Sequence, residues 1–307
     1  MLHSPVAPPA NIADPIAVTD WVELSILFSQ ARHVGKTEVR ATLRSIAELE
    51  DDELDVQTEL IINEVDRRKN LAPDAYPFKV DMGGISADES MRPAPYFFML
   101  LLATSPVLRK EKRHTEVEPH FDALILEALK NMLGPGSIGV RFAPTAKGRP
   151  RSFAKALEWL ADKLDLKLGT GASFRPKRQD GGADVIVWRP FRDRRSGFLT
   201  ILAQCTIQID WRGKAKDIVE DQWRGWIDFG KTPMTCLAIP FVVPIQYEKW
   251  DELRRTVVII LDRMRVAELI ASTPLASEAE LKKWMKKELT LLNKIVKRKA
   301  TTRLSRA

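Results

Sequence analysis

Two apolar runs, residues 183–191 (ADVIVWRPF) and 198–208 (FLTILAQCTIQ), stand on either side of a polar turn at 192–197. Both are rich in β-branched and aromatic residues, and so short a polar connection between such runs spells an antiparallel hairpin. Other elements are read outward from it. Ser152 is placed to cap a helix running to about residue 167, with Phe153, Leu157, Leu160 and Leu164 on one face. A short strand is expected at 168–174, a helix at 214–229, a buried strand at 235–243 interrupted by Pro240, and another apolar strand at 256–261. The expected order is therefore helix, three strands, helix, strand.

The texture before residue 140 is different. Residues 21–30, 37–47, 53–69 and 121–133 each repeat apolar side chains at three-to-four spacing, which predicts helices, and no strand pattern of comparable strength appears. Residues 71–95 contain four prolines and the pair Gly83-Gly84, and are expected to be irregular. Pro135, Pro144 and Pro150, with Gly134, Gly136, Gly139 and Gly148, mark a hinge. The fold class expected is α/β (α+β), with an all-helical domain at 1–140 followed by an αβ domain at 141–307.

The far end, 282–307, carries ten Lys/Arg against one Glu, whereas residues 1–140 carry 14 Lys/Arg against 22 Asp/Glu. Ser277 and Glu280 have capping-box spacing for a helix at 278–299, whose stripe of Leu281, Trp284, Leu292 and Ile295 suits an ordinary packed helix, and whose lysines suit a polyanion. The 13-residue apolar run 96–108 is shorter than a membrane-spanning helix and is read as a buried one. The beginning of the chain lacks the basic start and apolar middle of a secretory signal, and Cys205 and Cys236 are not at metal-ligand spacing, so a reduced, cytoplasmic protein is expected. Two phosphate-loop lookalikes are set aside: residues 134–139 (GPGSIG) follow a helix instead of a strand, and Gly35-Lys36-Thr37 lacks the glycine five positions earlier.

Chemistry concentrates in Asp180-Gly-Gly-Ala-Asp184 and in Gln204-Cys205-Thr206. Side chains alternate along strands, so Asp184, Ile186 and Trp188 share one face of the first strand while Gln204, Thr206 and Gln208 share one face of its partner. A carboxylate and an amide oxygen can converge there with the backbone carbonyl of Cys205, a hard oxygen set suited to Mg²⁺. Asp180, ahead of two glycines, is read as a cap for the turn, and the side chain of Cys205 as packed core.

These residues resemble a known family. The strand DGGADVIVW, the basic turn and the strand ILAQCT look like the core of the PD-(D/E)XK, or restriction-endonuclease-like, nuclease superfamily, in the branch whose motif reads D-G-G-x-D followed by Q-x-K. The resemblance spans roughly residues 152–243, under a third of the chain. It implies an αβββαβ core, Asp184 as metal-binding acid, Gln204 as second ligand, and Mg²⁺- or Mn²⁺-dependent cleavage of DNA, as in a bacterial restriction or anti-phage defence component. A separate ATPase or sensor would be its protein partner, and self-association is left open.

The position two after Gln204, where the branch carries lysine, is Thr206. Two readings follow: Lys214, and after it Lys216, lends the cation from the next helix, or catalysis is lost and the fold binds nucleic acid or serves an assembly. The superfamily's acid from its first helix maps to Glu158. Arg189, Arg192, Arg194, Arg195, Arg212 and Lys216 are expected to collar the phosphates, with Trp211 a candidate for base stacking and Trp223 and Trp226 read as core.

Overall fold

The computed structural model describes the chain except for residues 1, 3, 30, 82, 88–93, 107, 109–112, 172–179 and 305–307, and describes 295–304 by backbone alone. It is a mixed α/β structure with ten α-helices and two sheets among the described residues. No helix among them is long and apolar enough to cross a membrane. The chain divides into two compact units, Met1–Arg113 with Arg263–Ala307, and His114–Asp262.

The first unit contains α1 (Pro15–Phe28), α2 (Lys36–Ile46), α3 (Asp51–Leu71) and α4 (Ala94–Thr104), joined from the far end of the chain by α9 (Arg263–Ile270) and α10 (Glu278–Leu304). Asp14 starts α1 by accepting the backbone N–H groups of Ile16 and Ala17 at 3.0 and 3.3 Å. The unit is not all-helical. Strands β1 (His33–Gly35), β2 (Phe78–Asp81) and β3 (Gly84–Ala87) form an antiparallel sheet in the order β1-β3-β2. Strands of three and four residues are too short to show alternation, and β2 and β3 lie in the stretch expected to be irregular.

Arg68 and Arg263, both fully buried, meet Asp20 at 2.6 and 2.8 Å, and Arg68 also meets Glu23 at 2.9 Å. Burial pushes the Asp20 carboxyl upward, but the two guanidinium groups outweigh it and hold the acid below its ordinary range. Glu23 accepts hydrogen bonds from the hydroxyls of Tyr76 (2.6 Å) and Tyr96 (2.9 Å), and burial lifts its own proton affinity. The basic helix α10 is tied to this unit by the Phe98–Trp284 edge contact, with centroids 5.3 Å apart, and by buried Glu288, which Arg113 meets at 3.0 Å.

The second unit contains α5 (His114–Leu133), β4 (Ile138–Arg141), α6 (Phe153–Leu164), β5 (Val185–Trp188), β6 (Thr200–Cys205), a 3-10 turn (Arg212–Lys216), α7 (Glu220–Trp226), β7 (Met234–Ala238), α8 (Trp250–Thr256) and β8 (Ile259–Leu261). Its sheet runs β4-β5-β6-β7-β8, antiparallel through β6 and parallel from β6 to β8. One face, with Ile186 and Leu202, is covered by Leu157 and Leu160 of α6 and by Trp223 and Trp226 of α7. On the same face Trp211, just before the 3-10 turn, and Ala215 within it cover Leu237. The other face, with Val185, Val187, Ile201 and Ala203, lies under α5.

Three expectations are corrected. The division does not fall at 140: the glycine-proline stretch is a tight connection inside the second unit. Gly139 lies so close beneath α5 that a Cβ there would stand 2.4 Å from Leu126 Cδ1 and 2.9 Å from Val187 Cγ2. The first strand is β4, not 168–174, where the described residues make only the isolated bridge Leu168↔Ile227; 172–174 lie outside the described residues. The helix expected at 214–229 is split, because the chain between the 3-10 turn and α7 presses its backbone at Asp217 against Gly182.

Candidate metal centre

The site forms where β5 begins and β6 ends. The pairing of the strands ends at Val185↔Ala203, and just beyond it the backbone of Asp184 is pinned on both sides. Its N–H donates to Ala203 O at 2.8 Å, and its carbonyl accepts from Phe142 N at 2.6 Å. The two glycines before it are there for space. Gly182 sits at φ +82°, and a Cβ would fall 2.1 Å from the carbonyl oxygen of Asp217; a Cβ at Gly181 would strike the Trp226 ring at 2.7 Å. Asp180 caps the turn, its Oδ1 accepting from Gly182 N at 2.8 Å.

Asp184 Oδ2 accepts from the Gln204 side-chain nitrogen at 2.6 Å and from the Cys205 backbone N–H at 2.8 Å. The same Gln204 nitrogen donates to the Cys205 carbonyl at 3.1 Å, so the three oxygen-bearing groups expected to ligate a cation do converge. A fourth partner arrives from α5. A carboxylate oxygen of Asp122, one of Asp184 and the Cys205 sulfur all lie within 4.8 Å of one another.

Asp122 is 5% exposed. Burial raises its pKa to about 7, aided by the negative charge of Glu118 one turn earlier and opposed by the guanidinium of Arg141. The Asp184 carboxyl is pushed well above its ordinary range by burial and by the charge of Asp122, against the N–H of Cys205. Burial likewise raises the Cys205 thiol, with both carboxylates adding to the effect. Among the described residues neither aspartate has a salt-bridge partner. Burial makes the ionised pair costly, and a divalent cation that takes the place of its protons fits it: two carboxylates and a carbonyl are hard donors, and a half-turn of the Gln204 amide would add a fourth oxygen.

No family model, curated protein or solved structure matches the chain.

Other expected site residues lie elsewhere. Glu158 is exposed on α6, the helix over the opposite face of the sheet from α5; the acid that a helix brings to Asp184 is Asp122. Lys214 pairs with Asp217 at 3.6 Å and makes no ion pair with Asp184. Lys216 is exposed. Arg212 lies over the rings of Trp211 and Tyr247, at 4.9 and 5.3 Å, and Trp211 is itself buried, which removes it as a stacking surface. Trp223 and Trp226 are core, as expected. The Cys205 side chain is not simple core, since its sulfur faces Asp122.

Arg192, Arg194 and Arg195 are not a collar around the carboxylates. They follow the far end of β5, about 13 Å of strand from Asp184. There Arg194 pairs with Asp165 at 3.0 Å, and Arg195 lies 3.9 Å from Asp193.

The residues missed were Asp122, Glu118 and Arg141. Arg141 ends β4, its guanidinium donating to Pro119 O at 2.9 Å, and its charge acts on Asp122. The available signal was an acid, Asp122, set among Phe121, Leu124 and Ile125 on the apolar side of its helix.

Proposed function

We propose that the chain is a divalent-metal-dependent nuclease whose restriction-endonuclease-like catalytic unit is His114–Asp262, cutting phosphodiester bonds of DNA. The observation that carries this reading is the meeting of Asp122, from the helix before the first strand, with Asp184 and Cys205 at the paired ends of β5 and β6. The order α5, β4, β5, β6, α7, β7, with α6 inserted, supports it too: it is the helix, three strands, helix, strand arrangement that the resemblance implies.

Asp122 and Asp184 would hold the cation together with the Cys205 carbonyl, and Gln204 would turn its amide from donating to Asp184 to presenting its oxygen. A bound Mg²⁺ or Mn²⁺ supplies a water of lowered pKa and neutralises charge on the scissile phosphate. Arg141, on the Asp122 side of the sheet, takes the role of the missing lysine toward the phosphate, since Lys214 is engaged with Asp217.

A second reading has its own observation. Thr206 is buried where the lysine belongs, which favours a fold that binds DNA without cutting it. Nicking of supercoiled plasmid with Mg²⁺ or Mn²⁺ separates the two. The nuclease reading expects the parent to nick and Asp122→Asn and Asp184→Asn to fall by roughly a hundredfold or more. Equal cutting by parent and Asp184→Asn contradicts the site. If none cuts but all retard the plasmid equally on a gel, the binding reading holds.

A further inference from the structure

Opposite the metal centre, at the turn end of the same sheet, the second unit has a cleft of about 490 Å³, a volume ordinary for a ligand site. Leu166, Phe191, Phe198, Leu199, Phe229 and Met234 make its apolar wall, and Lys231 stands in it. Apolar side chains are left open here: Phe191 is 63% and Leu199 57% exposed. Exposure on this scale beside a cleft marks a surface that meets something.

The charge around it has one sign in excess. Lys231 in the cleft, and Arg189 and Arg192 beside Phe191 in the sequence, are exposed and have no ion pair among the described residues; against them stands Asp228, next to Phe229, since Asp165 and Asp193 are already matched by Arg194 and Arg195. An anionic partner is indicated. Three phenylalanines in the cleft with an excess of cations at hand distinguish between anions: an acidic peptide would use the cations and leave the rings idle. A single polynucleotide strand offers flat bases to the rings and phosphates to the cations, which is how sequence-tolerant strand binding works.

We infer that this cleft binds single-stranded nucleic acid, a base lying against Phe191 and the neighbouring phosphates on Arg192 and Lys231. The site goes beyond the nuclease reading and needs no metal, so binding in EDTA tests it independently of whether the protein cuts.

The experiment is fluorescence anisotropy of a labelled 15-nucleotide oligothymidylate with the full chain in EDTA, at several salt concentrations. The parent binds. Phe191→Ala weakens binding by about tenfold with the salt slope unchanged, because stacking is lost and no phosphate contact is. Lys231→Ala and Arg192→Ala each lower the slope of log K against log salt by about 0.7, as one phosphate contact is removed. Phe191, Arg192 and Lys231 are exposed, and circular dichroism of each variant checks that the fold is kept. Four results overturn the inference: no binding by the parent, binding untouched by Phe191→Ala, displacement by polyglutamate as effective as by unlabelled oligothymidylate, or a dimer in solution that Phe191→Ala dissociates.

Discussion

Burial opposes ionisation of both Asp122 and Asp184, and the charge of Asp122 further opposes that of Asp184. Asp122 ordinarily titrates at 3.8, and in the folded chain near 7. Between those values the folded state holds a proton that the unfolded chain has released, so the Asp122 contribution to stability falls as pH rises from about 4 to 7, and the raised Asp184 adds a fall of the same sign. Metal-free melting followed by calorimetry should show that fall. It should be shallower in Asp122→Asn, by on the order of 1 kcal/mol for each pKa unit removed, and Mn²⁺ should raise the parent's midpoint more at pH 7.5 than at pH 5.5, because the cation requires deprotonated ligands. An unchanged pH slope in Asp122→Asn would place the titrating group elsewhere. Asp184 and Gln204 were legible in the sequence because the two apolar runs of one hairpin bring the start of the first strand beside the end of the second. Asp122 was not, since only the packing of α5 on the sheet brings it there; the nearby helix holding Glu158 covers the wrong face.

At the scale of elements, the site depends on how closely the chain before α7 approaches the start of β5. Trp223 donates its indole N–H to Gly181 O at 3.0 Å, and the Asp217 carbonyl fills the space a Cβ on Gly182 would need. Gly182→Ala combines a left-handed backbone with a clash against backbone, and should cost about 2–4 kcal/mol in urea unfolding. Gly197→Ala, at φ +94° with nothing within 4 Å of the added carbon, should cost only about 1–2 kcal/mol, the conformational part alone. Equal losses in the two variants would mean that the close approach carries no energy. The hairpin itself was legible because both strands are long and apolar. The helix expected at 214–229 was continuous by periodicity, yet tertiary contact at Gly182 breaks it. Strands β1 to β3 were invisible because three or four residues hold too few alternations.

On the scale of the whole molecule, the chain leaves the first unit after Arg113, completes the second, and returns at Arg263. The return is written in charge. Arg263 reaches Asp20 through two nitrogens, at 2.8 and 2.7 Å, and buried Glu288 answers Arg113, so the first unit needs residues from both ends of the sequence. A reading along the chain could not see this. The glycines and prolines of 134–150 have a composition that suits a linker as well as a tight turn, and the basic helix carries no local sign that its partners lie in the first unit. The second unit, by contrast, is one unbroken stretch, and its catalytic reading rests on the convergence of three of its elements. Titration of Mn²⁺ into the metal-free full chain at pH 7.5, followed by calorimetry, tests that convergence most directly. One ion per chain should bind to the parent, and Asp122→Asn and Asp184→Asn should each weaken it at least about tenfold; an affinity unaltered by both substitutions, or no ion bound by the parent, would contradict the account.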